Sequence, residues 1–214
     1  MHITGAIFDL DGTLLDSMAI WETIAVDYLR LRGIEPTENL NETFKAMSLQ
    51  QSAQYYQRHY NIVDSTDKII EDINKMIESF YINEVQPKRG VKCFLENLKN
   101  RNTKMIVATA IDKHIAKAAL TRCNLLDYFE DILTCREIGC GKDKPDIYIE
   151  GLSRLKTKKE STWVFEDSIH ALNTAKLAGF PVVGVYDKSE IDSKSVCSIA
   201  DMYINSFEEM EGLK

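Results

Sequence analysis

Asp9 and Asp11, followed at once by Gly12 and Thr13, are the first residues in the chain whose types and spacing could do chemistry. One carboxylate of such a pair can act as a nucleophile, while the other passes a proton to a departing oxygen and later takes one from water. Farther along, Thr109 offers a hydroxyl, Lys142 a compact cation, and Glu166 with Asp167 a second acidic pair. Gathering these carboxylates without help is unfavourable, because each like-charged pair at 4 Å repels by about 4 kcal/mol at an effective dielectric near 20. A cation is expected among them, and an oxygen-only ligand set without clustered His or Cys favours Mg²⁺. Lys142 as a point charge and Thr109 as a hydroxyl donor complete a set suited to phosphoryl transfer, in which catalysis is mostly positioning and charge neutralisation. Gly12 would let the backbone turn closely around a phosphate. Asp9 and Asp11 are the pair placed to divide attack from proton transfer.

The elements that must hold these groups follow from the hydrophobic pattern. Ile3, Ala6, Ile7 and Phe8 predict a short buried strand that stops at Asp9. Apolar runs predict further strands at 105–108, 131–133, 162–165, 182–185 and 202–204, with helical segments between them. Thr109 follows the second strand, Lys142 lies in the loop after the third, and Glu166 with Asp167 follows the fourth. Ligands in open parallel sheets gather at such strand ends. Between residues 17 and 84 the spacing is helical throughout. Ile20, Trp21, Ile24, Ala25, Tyr28 and Leu29 share one face, with Gly33 as a stop, and Ile69, Ile70, Ile73, Met76, Ile77, Phe80 and Tyr81 repeat the pattern. The expected architecture is an α/β core of residues 1–16 and 85–214, built on a mainly parallel sheet with helices on both faces, interrupted by an all-helical unit at 17–84.

Composition narrows the partners. A formal charge of -7, with acidic and basic residues interspersed, leaves no basic face for a polynucleotide. Five scattered cysteines without a C-x-x-C pair suit a reducing cytoplasm. The longest apolar stretches fall short of the roughly 20 residues a membrane helix needs, and no exported leader is recognisable. The histidines, His2, His59, His114 and His170, have no metal-ligand spacing, and Lys45, Ser48 and Arg58 are expected to face solvent on the helical insert. Trp21 and Trp163 are expected to anchor the core.

The run F-D-L-D-G-T-L-L-D-S at 8–17 resembles the first motif of the haloacid dehalogenase-like hydrolase superfamily. Thr109 in V-A-T-A resembles its second motif, Lys142 in G-C-G-K-D-K-P-D-I-Y its third, and Glu166 with Asp167 in V-F-E-D-S its fourth. The family's usual third motif is K-P-x-P-D, so alignment on Pro145 and Asp146 selects Lys142, and alignment on the Lys-Pro pair would select Lys144. The resemblance spans the chain. It implies a Rossmann-like core with a helical cap, in the subgroup that holds phosphoglycolate phosphatase and β-phosphoglucomutase. It further implies that Asp9 is the nucleophile and Asp11 the acid/base. Asp9, the backbone carbonyl of Asp11, and Asp167 would bind Mg²⁺, with Glu166 alongside; Gly12, Thr109, Ala110 and Lys142 would hold the substrate phosphate. The activity implied is Mg²⁺-dependent hydrolysis of a small phosphorylated metabolite, such as a sugar phosphate, by a monomer or weak homo-oligomer. The alternatives are a phosphomutase using the same core residues and, in another class, a phospho-accepting receiver-type module, although such modules are shorter and uncapped.

Overall fold

The structure, a computed structural model, describes residues 2–36, 40–44, 47, 49–190 and 192–210. Six strands, β1 (Gly5–Phe8), β2 (Lys104–Thr109), β3 (Asp131–Thr134), β4 (Thr162–Glu166), β5 (Val182–Val185) and β6 (Met202–Ile204), form one sheet in the order β3-β2-β1-β4-β5-β6. Every pairing is parallel. The fully buried runs of β1 and β5 explain why, since parallel strands are covered on both faces and need continuous apolar sequence.

The helices are α1 (Ala19–Arg30), α2 (Leu40–Phe44), α3 (Leu49–His59), α4 (Thr66–Asn83), α5 (Val91–Asn100), α6 (Lys113–Arg122), α7 (Cys135–Ile138), α8 (Asp146–Leu155), α9 (Ile169–Leu177) and α10 (Ser193–Ile199). The chain divides into two compact units, one of Met1–Ser17 with Val85–Lys214 and the other of Met18–Glu84.

In the sheet unit, Ile7, Ile106 and Val164 share a buried cluster with Ile147 and Tyr148 of α8. Phe8 stacks on Phe165 at 4.4 Å and meets Phe94 of α5 edge-on at 6.3 Å. These contacts fix β1 and β4 side by side. The chain leaves and re-enters this unit through neighbours: Leu15 pairs with Pro87 in an antiparallel bridge, and the Asp16 amide donates to the Gln86 carbonyl at 2.9 Å.

The helical unit has its own core. Ile24, Ala25, Tyr28 and Leu29 of α1, Tyr56 of α3, and Ile69, Ile73, Ile77 and Tyr81 of α4 are buried. Ser65 caps α4 by accepting from the Lys68 amide, and Arg32 bonds Asp72 at 2.8 Å while lying 3.9 Å from the centre of the Tyr28 ring. Trp21 departs from expectation, being 44% exposed. It sits in the first turn of α1, a turn before the buried stripe, and borders a cavity of about 340 Å³ with Ile24, Phe44 and Tyr56. Trp163 is half-buried.

Candidate active site

The strand order reverses beside β1, the position at which open parallel sheets form a crevice at their carboxyl ends. Phe8 is in register with Phe165, and the Asp9 amide donates to the Phe165 carbonyl at 3.0 Å. Asp9 and Glu166 therefore emerge side by side, one residue beyond that pair. Asp167 follows at the same edge. Oxygens of Asp9, Glu166 and Asp167 lie within 4.8 Å of one another, and the three residues are 7%, 1% and 6% exposed.

Lys142, in the loop before α8, places its ammonium between two of these carboxylates. It donates to Asp9 Oδ1 and, at 2.6 Å, to Glu166 Oε1. Lys144 is exposed, so the structure decides which lysine reaches Asp9. Tyr148 of α8 donates from its hydroxyl to Glu166 Oε1 at 3.1 Å. Thr13 donates to Asp167 Oδ1 at 2.9 Å.

The turn after β1 brings the backbone very near Asp167. Gly12 has φ +74°, and a β-carbon placed there would lie 2.3 Å from Asp167 Oδ2. Glycine is required both for the left-handed conformation and for the close approach. Asp11 is half-buried; its carboxylate accepts from the Ser17 hydroxyl at 2.8 Å and lies outside the three-carboxylate cluster. Ser17 thus belongs with the sheet unit, and the division between units falls one residue later than the helical pattern suggests.

Thr109 ends β2 fully buried, its hydroxyl oxygen accepting from the Ile111 amide at 3.2 Å. Because a hydroxyl keeps one donor after accepting, Thr109 can still donate to an anion. Ala110, the next residue, is exposed at the strand end. The helix after β4 has Ser168 at its N-cap position, so neither Glu166 nor Asp167 serves as that cap. Of the polar positions on the insert, Arg58 is exposed, and Lys45 and Ser48 lie outside the described residues. The histidines are all exposed.

The electrostatics of the cluster are unbalanced in favour of negative charge. Burial, reinforced by Asp9 and opposed by Lys142 and Tyr148, pushes the Glu166 carboxyl up to about 7. Burial also raises Asp167 well above the usual carboxylate range, with Asp9 and Glu166 adding to it. Burial disfavours the Lys142 ammonium, yet Asp9 and Glu166 outweigh it and hold the lysine firmly protonated. Three buried carboxylates against one ammonium, all ligand atoms oxygen, make a donor set that fits a hard divalent cation. Sequence reasoning missed Tyr148 and Ser17. Their positions, in the motif P-D-I-Y and eight residues after Asp9, are ordinary in the sequence and acquire meaning only through contacts.

Comparison with known proteins agrees with this geometry. A family model described as haloacid dehalogenase-like hydrolase matches residues 6–185. A phosphorylated carbohydrates phosphatase of Thermotoga maritima is 27% identical over 173 residues, covering 81% of this chain and 80% of that protein. Hexitol phosphatase B of Escherichia coli strain K12 is 24% identical over 214 residues, covering 98% and 95%. Among solved structures, a candidate β-phosphoglucomutase from Thermotoga maritima superposes with a TM-score of 0.86 at 26% identity, covering 97% of this chain and 96% of the other.

Proposed function

From the premise that this chain belongs to the haloacid dehalogenase-like hydrolases, we propose that it is a Mg²⁺-dependent phosphatase of small phosphorylated metabolites, sugar phosphates foremost. The observation that carries the reading is the buried meeting of Asp9 from the end of β1 with Glu166 and Asp167 from the end of β4, bridged in part by Lys142. The names of the two phosphatase relatives support the choice of a carbohydrate phosphate.

In this reading an Asp9 oxygen attacks phosphorus, the bond to the leaving oxygen breaks, and Asp11 protonates that oxygen. Asp11, then a carboxylate, takes a proton from water as water attacks the aspartyl phosphate, releasing inorganic phosphate and restoring Asp9. Lys142 neutralises a phosphoryl oxygen and donates a hydrogen bond to it. Thr109, with the backbone at Gly12 and Ala110, supplies further donors. Asp9, Asp167 and the carbonyl of Asp11 would hold Mg²⁺, with Glu166 beside them, and its charge would offset the negative charge of the phosphoryl group. The helical unit acts as a cap that hinges near Asp16 and near Gln86 and Pro87, excluding water while the leaving group departs and admitting it for hydrolysis.

The test is phosphate release from a panel of sugar and polyol phosphates, with p-nitrophenyl phosphate as a general probe, run with the wild type and with Asp9→Asn. Multiple turnovers by the wild type and none by Asp9→Asn are expected. Stoichiometric labelling without turnover would point instead to a phospho-accepting module. The likeness to a candidate β-phosphoglucomutase favours one second reading, in which the phosphoryl group returns to another hydroxyl of the sugar. Conversion of a hexose 1-phosphate to the 6-phosphate without free phosphate would establish it.

A further inference from the structure

Lys88 lies outside the carboxylate cluster, just after the chain returns to the sheet unit, where a lysine following a proline would ordinarily be solvated. Its side chain is only 16% exposed. The ammonium meets three acceptors, one for each of its hydrogens: the Gly12 carbonyl at 2.5 Å, the Tyr186 carbonyl at 2.6 Å and Asp187 Oδ2 at 2.8 Å. The Lys88 amide donates to the Leu14 carbonyl at 2.9 Å. One residue therefore grips two carbonyls of the turn that follows Asp9.

Asp187 is equally committed. Its side chain is 2% exposed, and its other oxygen accepts from the Ser189 amide at 2.9 Å and hydroxyl at 2.7 Å. Burial alone would raise this carboxyl, but the Lys88 and Ser189 contacts hold it below the usual range. A buried ion pair with these acceptors filled is a different object from a surface pair, whose worth is near zero.

The grip has a consequence for the site. Gly12 must be glycine, because of its φ and its closeness to Asp167, but glycine is the residue least able to hold its own conformation. A trans peptide unit is planar, with its carbonyl and amide pointing in opposite directions, so fixing the Gly12 carbonyl on Lys88 fixes the direction of the Thr13 amide. The side-chain hydroxyl of the same residue, Thr13, donates to Asp167 Oδ1 at 2.9 Å. We propose that Lys88, braced by Asp187, is a positioning residue that locks the turn at 9–13 in the conformation aligning Asp9 and Thr13 with Asp167.

Its effect on turnover rests on the phosphatase reading; the lock itself does not. The experiment is Lys88→Met, followed by hydrogen–deuterium exchange of the amides at 11–15 and by kcat and KM for p-nitrophenyl phosphate. Exchange at those amides should rise at least about tenfold, and kcat should fall by about 30-fold with KM within threefold, as misplacement of reacting groups produces. Lys88→Arg should recover part of both. Unchanged exchange at 11–15, or kcat within twofold of wild type in a destabilised Lys88→Met, overturns the proposal. Should Lys88→Met fail to fold, Asp187→Asn removes the brace while keeping the residue's shape, and the same changes in smaller measure are required of it. Absence of turnover in the wild type would count against the phosphatase reading and not against the lock, which the exchange data decide alone.

Discussion

Removing divalent metal should make this protein less stable as pH rises from 5 to 8, and Mg²⁺ should abolish that decline. Glu166 is 1% exposed, and its carboxyl titrates near 7 when folded, against 4.5 when unfolded. Between those values the folded state holds a proton that the unfolded state has released, so stability falls with rising pH. At about 1.4 kcal/mol for each pH unit, the loss is about 3 kcal/mol. Asp167, raised in the same direction, adds to it. Lys142 lies outside the window, because a lysine raised above 10.5 contributes stability that is lost only at higher pH. For a chain of this length, the loss corresponds to a fall in Tm of about 6–12 °C. A cation held by ionised carboxylates reverses the sign of the effect, since it binds the deprotonated form and displaces the proton. Calorimetric melting at pH 5, 6, 7 and 8, in EDTA and in millimolar MgCl₂, measures both arms. The increment in Tm due to Mg²⁺ should grow with pH up to about 7.5. A flat or shrinking increment, or a Tm in EDTA that rises from pH 5 to 8, refutes the charge balance assigned to the cluster.

Lys142→Met strips the ammonium that bonds Asp9 and Glu166 and should cost about 3–5 kcal/mol at pH 8, less at pH 5 where Glu166 accepts a proton; Lys144→Met, on an exposed side chain, should stay within about 0.5 kcal/mol by urea melts. Gly12→Ala drives a β-carbon to 2.3 Å from Asp167 Oδ2 at a φ that resists side chains, so kcat should fall at least about 100-fold, and retention of a tenth of wild-type kcat would contradict the close packing of this turn. Tyr148→Phe deletes a hydrogen bond that favours ionised Glu166, so the acidic limb of the pH profile for kcat should move upward by about one unit, and activity at pH 6 should drop more than activity at pH 8.

Much of this site is written locally in the chain. A short apolar run followed by D-x-D-G locates both a strand end and the groups on it, and the Glu166–Asp167 pair is found by the same logic. That these two ends are neighbours is a matter of strand order, which alternation of strands and helices restricts without deciding. Lys142 and Lys144 are separable only once the loop before α8 is folded, because one turns inward and the other does not. The groups that brace the cluster and the turn after β1 are less legible. Tyr148 reads as one more apolar position on α8, and Lys88 as a solvated loop charge, until contacts across the unit give each a polar partner. Trp21 misleads for a different reason: periodicity identifies the face of a helix but not how far along it the packing extends.

The seam at Leu15 and Pro87 carries a broader meaning. Where a polypeptide departs from a sheet and comes back through adjacent, hydrogen-bonded residues, the excursion in between imposes no stretch on what surrounds it, and its length is nearly immaterial to closing the loop. The helical segment is in this sense a cassette. A shorter or longer segment can be joined at the same two rungs, Leu15 to Pro87 and Asp16 to Gln86, at little added cost of loop closure.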